Sequence, residues 1–519
     1  MSDTNQNEAA IVIVGGGTAG WLTAAFLARS AELNGVQFSI QVIEAPQIEA
    51  IGVGEATIPS IQRTLQFLGI PEAVFLKETA ASFKQAIKFI GWTDAAGGPT
   101  NQSHMFYHPF EDFRRWDTFD PIDYWISSPE ARARGSLVDS VIIQGRLCEA
   151  GFAPKQYKAP DYQSGIPYAY HIDATRFAKL LRSYSESKGV GFVEGRVSHV
   201  KRDENGRIAS LGLEDGVSIA VDLVVDCTGF DALLIEKEIG ADFTEHAERL
   251  LCDSAVALPI EHPQNLHRID PYTKAVAQDH GWIWDIPLWS RRGTGYVYSS
   301  AFEDRDSAAR RLAEYSGLSN LDDLPFRHIP LRVGYRQEQW VGNCVAIGLS
   351  AGFLEPLEST GIYLIERALS ALGDLYVGKR TDLNAAASQY NQLLRDEFAS
   401  VLDFIQMHYV LAHRRDTAFW EANTLSPVLG DRLASLLTQW RYRKPLECDV
   451  PTRDAAFGPS NFMAILYGMG AFPKGGALQQ SAQAQGEADK YRNEIDKAFL
   501  AARTDLESNY SFLSRINSD

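Results

Sequence analysis

The stretch Ile11-Val12-Ile13-Val14-Gly15-Gly16-Gly17-Thr18-Ala19-Gly20 decides the fold. Four successive apolar residues mark a parallel strand buried on both faces. They run into G-x-G-x-x-G and then into the helix-like Trp21 to Arg29, so the glycines have a strand before them and a helix after. Gly15 permits the tight turn, Gly17 lets backbone approach a pyrophosphate, and Gly20 lets helix pack on strand. Thr18 and Ala19 complete the turn, whose amides meet phosphate charge at the helix start. A second strand, Phe38 to Ile43, ends at Glu44, where a ribose-binding carboxylate is expected. A glycine-rich turn beside a chance acid is the competing reading. Strand, helix and Glu44 in register favour a dinucleotide.

Composition narrows the class. The 519 residues carry 49 Lys plus Arg against 66 Asp plus Glu, a net charge of -17, which argues against nucleic acid or an anionic membrane as partner. Five scattered cysteines, odd in number and without C-x-x-C, fit a reducing compartment and offer no zinc site. Eleven histidines show no metal-ligand spacing, so no metal is expected. Met1 to Ala9 lacks the basic and apolar regions of a signal peptide, and no run approaches the ~18 apolar residues of a membrane span. The expectation is a soluble cytoplasmic protein.

Two later segments favour FAD over NAD. Val190 to Gly229 reads as a strand, a charged turn at Arg202-Asp203-Glu204-Asn205-Gly206, and further strands ending at Leu223-Val224-Val225-Asp226. This layout resembles the three-stranded meander and returning strand of the glutathione-reductase class of FAD proteins. Cys344 to Ser350 resembles that class's last flavin-contacting strand and turn, with Gly348-Leu349 where Gly-Asp is common. A flavin also activates oxygen, which NAD does not.

Gly281-Trp282-Ile283-Trp284-Asp285-Ile286-Pro287 contains W-x-W-x-I-P. Alternation puts Trp282, Trp284 and Ile286 on one side of a strand that Pro287 ends, and the hairpin is expected to turn at Arg291 to Gly295. An aromatic core stripe is the plain reading. Together with four further segments, however, the stretch resembles flavin-dependent halogenases of the tryptophan-halogenase type, over Ile11 to about Trp420. Gly52-Val53-Gly54-Glu55-Ala56-Thr57 is similar to the family's flavin strap. Phe83-Lys84-Gln85 resembles the segment with its catalytic lysine. Phe106 to Phe110 resembles the start of its substrate pocket, and Phe353 to Tyr363 its catalytic glutamate and halide site.

The resemblance implies that reduced FAD (FADH2) and O2 give a flavin hydroperoxide that oxidises chloride or bromide to hypohalous acid. Lys84 would activate that acid, by a hydrogen bond or as a chloramine, and Glu358 would stabilise the cationic ring and take its proton. Thr360 and Gly361 would contact halide with backbone amides. His108 and Phe110 would contact the aromatic substrate, and Trp282, Trp284, Ile286 and Pro287 would wall it off from the flavin. Without the resemblance, Lys84 reads as a solvated face and Glu358 as a helix cap. Glu355 is read as shaping a turn, and His171 and Asp173 as structural, Asp173 capping the next helix.

The chain departs from the tryptophan enzymes at Leu446 to Gly470. That region has no tryptophan, one tyrosine (Tyr467), and Asp449, Arg453 and Asp454 as available charges. The departure speaks against free tryptophan and for indole, a substituted indole, or a larger aromatic partner that brings its own binding energy.

The expected fold class is α/β. A glutathione-reductase-type FAD-binding module, Rossmann-like with a mixed sheet, would span 1–384, with a substrate-side insertion at about 99–164. A mostly helical substrate-binding module would follow at 385–519, its clearest helices Ser388 to His413 and Gln485 to Glu507. Lys474 to Gly486 reads as a flexible link. With no second G-x-G-x-x-G, reduced flavin would come from a separate NAD(P)H-dependent flavin reductase. A homodimer is left open. The alternatives are an FAD-dependent aromatic monooxygenase and a non-enzymatic FAD-binding redox protein.

Overall fold

A computed structural model of the protein describes residues 8–46, 54–93, 104–114, 116, 119–321, 324–450, 455–474 and 482–518. The strand Ala9–Val14 is central in a six-stranded sheet, parallel to Leu223–Asp226 on one side and Phe38–Glu44 on the other. Cys344–Ala346 and Gly191–Glu194 extend the parallel run, and Trp340–Val341 closes one edge antiparallel. Helix Thr18–Asn34 follows the glycine turn and ends at Gly35, whose φ of +63° is the left-handed C-cap conformation that glycine adopts without strain. Val197–Arg202, Ile208–Leu213 and Ser218–Ala220 form the expected antiparallel meander.

A second, seven-stranded sheet runs Arg327–Pro330, Ser254–Glu261, Arg291–Tyr298, Gly281–Pro287, Tyr272–Gln278, Ala86–Ile90, Met105–Pro109. Its register places Trp284, Ala275, Phe89 and Phe106 in one cross-strand row. Trp284 fits because Gly295 lies opposite: a Cβ there would stand 2.0 Å from the indole. The hairpin turn lies at 288–290, where the Leu288 amide bonds to the Arg291 carbonyl. Arg291 to Gly295, expected as the turn, is already strand: Arg291 pairs with Glu261, and Arg292 to Gly295 pair on both edges.

A small third sheet joins Gly54–Ala56, Ala169–Asp173 and Ser82–Lys84. Only Gln85 separates Lys84 from the next strand, in the seven-stranded sheet. The Gln85 amide donates to the Pro271 carbonyl and its own carbonyl accepts from the Phe110 amide, so both backbone groups of this link are satisfied.

Helix Leu383–Leu411 starts at Asp382, whose carboxylate accepts from the amides of Asn384 and Ala385. Its ten residues Ser400 to Tyr409 are all buried, so the helix runs through the core and its polar side chains need partners there. Asp403 pairs with Arg249 and Arg432, Gln406 with Arg249, and His408 with Glu358. Helix Ala482–Asp505 begins inside the stretch expected to be a flexible link; the preceding 475–481 lie outside the described residues. The main apolar core is continuous from Ala9 to Leu513. No described helix is long and apolar enough to cross a membrane.

Candidate active site

The glycine turn has the shape a dinucleotide needs. A Cβ at Gly15, whose φ is +117°, would sit 2.2 Å from the Cys227 carbonyl oxygen, and one at Gly20 would sit 1.8 Å from that of Gly15. Gly17 faces open space, and helix Thr18–Asn34 has no side-chain cap, so its leading amides are available to an anion. Glu44 ends its strand with Oε2 buried and without a hydrogen bond, 3.6 Å from an Arg182 guanidinium nitrogen. Such an oxygen suits a ribose hydroxyl. Gly348, φ +77°, turns beside Ala19 at the end of the Cys344–Ala346 strand, and Leu349 follows it in a short 3-10 turn.

Lys84 is fully buried. Its Nζ donates to the Thr57 carbonyl at 3.0 Å and to Ser359 Oγ at 2.8 Å, and lies 5.1 Å from the centre of the Phe110 ring. Burial pushes its pKa down from 10.5 to about 7, with Glu358 opposing. Ser82, two residues before, donates to the carbonyl of Pro287 and meets His171 Nδ1 at 3.0 Å. The lysine strand is thereby tied to the end of the double-Trp strand. Glu55, in the same small sheet, is pushed up to about 7 by burial and then by Asp173. Asp173 caps helix Ala174–Ser187, as expected. Of the strap, Gly54, Glu55, Ala56 and Thr57 are placed, whereas Gly52 and Val53 lie outside the described residues.

Glu358 is also fully buried, and both its oxygens are held: Oε2 lies 2.8 Å from His108 Nδ1 and Oε1 lies 2.7 Å from His408 Nε2. Burial would raise its pKa, but the two histidines hold it at about 2. Ser359, next in the chain, takes the left-handed φ of +61°, uncommon for a non-glycine residue. That conformation starts helix Gly361–Leu375 without a side-chain cap, and Gly361 faces open space. Lys84 is therefore bound to the residue that follows Glu358, with the start of helix Gly361–Leu375 two residues further on.

Trp282 donates from Nε1 to Glu355 Oε2 at 3.1 Å, and Tyr409 donates to the same oxygen at 2.5 Å. Burial raises Glu355 to about 7, although both donors pull it down. The Trp284 ring is 6.4 Å from Trp282 and its Nε1 is buried without a partner. Ile286 is buried and Pro287 half-buried on the same strand.

His108, on the Met105–Pro109 strand, faces Phe404 and Phe457, which stack on each other at 3.7 Å. Its Nε2 meets Asn461 Nδ2 at 2.9 Å. Asp449, expected as an available charge, is committed to Arg443 at 2.6 and 2.7 Å and to Trp440, while Arg453 and Asp454 lie outside the described residues. No described group of three or more His, Cys, Asp or Glu residues has a metal-binding arrangement.

Sequence reasoning did not anticipate His408, Asn461, the Thr57 carbonyl, or the Lys84 bond to the Ser359 hydroxyl. His408 and Asn461 sit inside helices far from any motif, where a lone polar residue carries no periodic signal.

A sequence model of the family described as tryptophan halogenase matches residues 10–485. The chain is 37% identical to the tryptophan 7-halogenase RebH of Lentzea aerocolonigenes over 490 residues, 89% of this chain and 90% of that one. The solved tryptophan halogenase of Shewanella frigidimarina superposes with a TM-score of 0.92 at 32% identity, covering 99% of this chain and 98% of that one. Tar14, a tryptophan C-6 flavin-dependent halogenase from taromycin biosynthesis, superposes at 0.89 with 33% identity, covering 98% and 99%.

Proposed function

The chain belongs to the tryptophan halogenase family and is a flavin-dependent halogenating enzyme, and from that premise we propose that it halogenates indole or a substituted indole with Lys84 and Glu358 as its catalytic residues. The observation that carries this reading is that buried Lys84 is hydrogen-bonded to Ser359, the residue next to buried Glu358. The tryptophan-poor 446–470 segment, with Asp449 already paired, supports an aromatic without an amino-acid head. Helices of the 385–519 region carry His408 and Asn461, which supports giving that region the substrate side.

FAD fits the cradle: Gly15 and Gly20 leave no room for a side chain, Gly17 is open, and the orphaned Glu44 oxygen suits a ribose hydroxyl. Reduced FAD bound there, with O2, supplies the oxidising equivalent that turns halide into hypohalous acid. A separate NAD(P)H-dependent flavin reductase is the source of reduced cofactor. The backbone amides of Thr360 and Gly361 hold chloride or bromide without a competing metal. Lys84, at about 7, is both an ammonium that can hydrogen-bond the hypohalous oxygen and an amine that can carry the halogen. Its position is set by Thr57 and Ser359. Glu358 stabilises the positive charge on the attacked ring and accepts its proton at a carboxylate oxygen. His108 and Phe110 bound the ring. Trp282, Trp284, Ile286 and Pro287 keep it from the flavin, so oxygen is not delivered to it directly.

The test is mass spectrometry of indole incubated with the protein, FAD, a flavin reductase, NADH, air and equal bromide and chloride, with catalase to remove free peroxide. A halogen isotope pattern that vanishes in Lys84→Ala supports the reading. A hydroxylated product would move the chain to the aromatic monooxygenases. Turnover of tryptophan but not of indole would sink the substrate assignment.

A further inference from the structure

His408 carries a constraint on its protonation that follows from its neighbours alone. Its Nδ1 lies 2.8 Å from the Phe404 carbonyl oxygen, one turn earlier in the same helix. A carbonyl only accepts, so Nδ1 bears a hydrogen. Its Nε2 lies 2.7 Å from Glu358 Oε1. That contact needs one proton, held either by the imidazole or by the carboxyl.

His108 settles the other side. Asn461 accepts the Gly458 amide on Oδ1 at 2.7 Å, which turns its Nδ2 toward His108 Nε2. Nε2 of His108 therefore accepts, and its Nδ1–H donates to Glu358 Oε2. A neutral His108 satisfies every contact it makes. His408 is different, because both of its nitrogens face acceptors when Glu358 is ionised.

We infer that His408 is an imidazolium that serves as the permanent counter-charge of Glu358, which leaves Lys84 free to be uncharged. This rests on the assignment of Glu358 as the base. A carboxylate and a lysine buried within one site would ordinarily neutralise each other. Here Lys84 is committed to a carbonyl and a hydroxyl, and the carboxylate is served by the core helix. The groups facing the pair are Glu358 from the turn Pro356–Glu358, His108 from the strand Met105–Pro109, and Lys84, whose pKa the Glu358 carboxylate pulls up against the burial that lowers it. Phe89 and Trp92 cover the His408 ring with aromatic surface and bring no further charge. In the reaction the ring C–H bond breaks, its electron pair returns to the ring, and the proton goes to Glu358, whose imidazolium partner is already protonated. The base is thus a neutral ion pair before the step and a cation after it, so the proton does not stay. His408 acts through Glu358 and is a positioning residue.

The experiment uses the full-length, FAD-reconstituted protein with nitrogen-15-labelled histidine, the His408 signals being assigned by their loss in His408→Gln. At about pH 8, where a free imidazole is neutral, both His408 ring nitrogens should appear protonated, and in Glu358→Gln only Nδ1 should. His408→Gln keeps a donor to Glu358 but not the charge. It should lower kcat about tenfold or more with KM for the aromatic little changed, and a primary deuterium isotope effect should emerge at the halogenated carbon. A neutral His408 in the unmodified protein overturns the inference whatever the kinetics, as does a His408→Gln enzyme with full kcat. Full halogenation by Glu358→Gln would instead remove the assignment of the base, and would do so even with His408 seen as an imidazolium.

Discussion

Replacing Lys84 by methionine should make the protein inactive and, in acid, more stable. Burial takes the lysine from 10.5 to about 7, a gap of about 3.5 units, and each unit is worth about 1.4 kcal/mol. Holding the ammonium in the native state therefore costs about 5 kcal/mol. Between these two values the unfolded chain binds the proton and the native one does not, so native stability rises with pH; below about 7 the cost is full. The variant also loses the bonds to Thr57 and Ser359, a loss independent of pH. The difference between variant and parent should consequently shift by about 3 kcal/mol in the parent's favour between about pH 6 and about pH 9. For a chain of 519 residues this is about 2–3 °C in Tm. The assay is calorimetry of both proteins, saturated with FAD, across that range. Melting temperatures that stay parallel would refute a depressed lysine, and with it the idea that Lys84 reacts near neutrality as an amine.

Three further outcomes are expected. Glu355, held up at about 7 by burial from a usual 4.5, contributes stability that is complete below 4.5 and lost as pH rises through 7. Glu355→Gln should remove that loss, about 3 kcal/mol, seen as a Tm that no longer falls between about pH 5 and about pH 8. Gly295→Ala puts a methyl 2.0 Å from the Trp284 ring and should cost about 1–3 kcal/mol or more in urea unfolding; an unchanged midpoint would mean that the ring moves freely. Glu44→Ala should weaken FAD binding about tenfold, read by fluorescence titration, for loss of one hydrogen bond to a charged group. An unchanged Kd would take Glu44 out of the cofactor site.

The local features were legible because each is written in a few adjacent residues. The apolar run and spaced glycines at Ile11 to Gly20 define strand, turn and helix in one pass, and Asp173 caps the helix it was expected to cap. Lys84 and Glu358 could be singled out only by resemblance, since nothing local distinguishes a lysine after Phe83 from a solvated one. Long-range pairing was not legible: Ala86–Ile90 lies parallel to Tyr272–Val276, a register no window of sequence contains. The hairpin turn was misplaced for a related reason. Two arginines and two glycines read as loop, yet Gly293 and Gly295 are strand positions emptied of side chain to admit the Gly54 backbone and the Trp284 ring.

The clamp on the Pro356–Glu358 turn has a bearing on how the enzyme can change. Glu355, on one side of it, is gripped by Tyr409, and Glu358, at its other end, by His408, which are consecutive residues of one helix. Trp282 shares the first of these grips. Trimming that indole therefore takes a donor from Glu355 and loosens the turn that carries Glu358. A library that makes room at Trp282 is therefore also a library that alters the setting of Glu358. Variants with more room should thus be screened over a range of pH rather than at one.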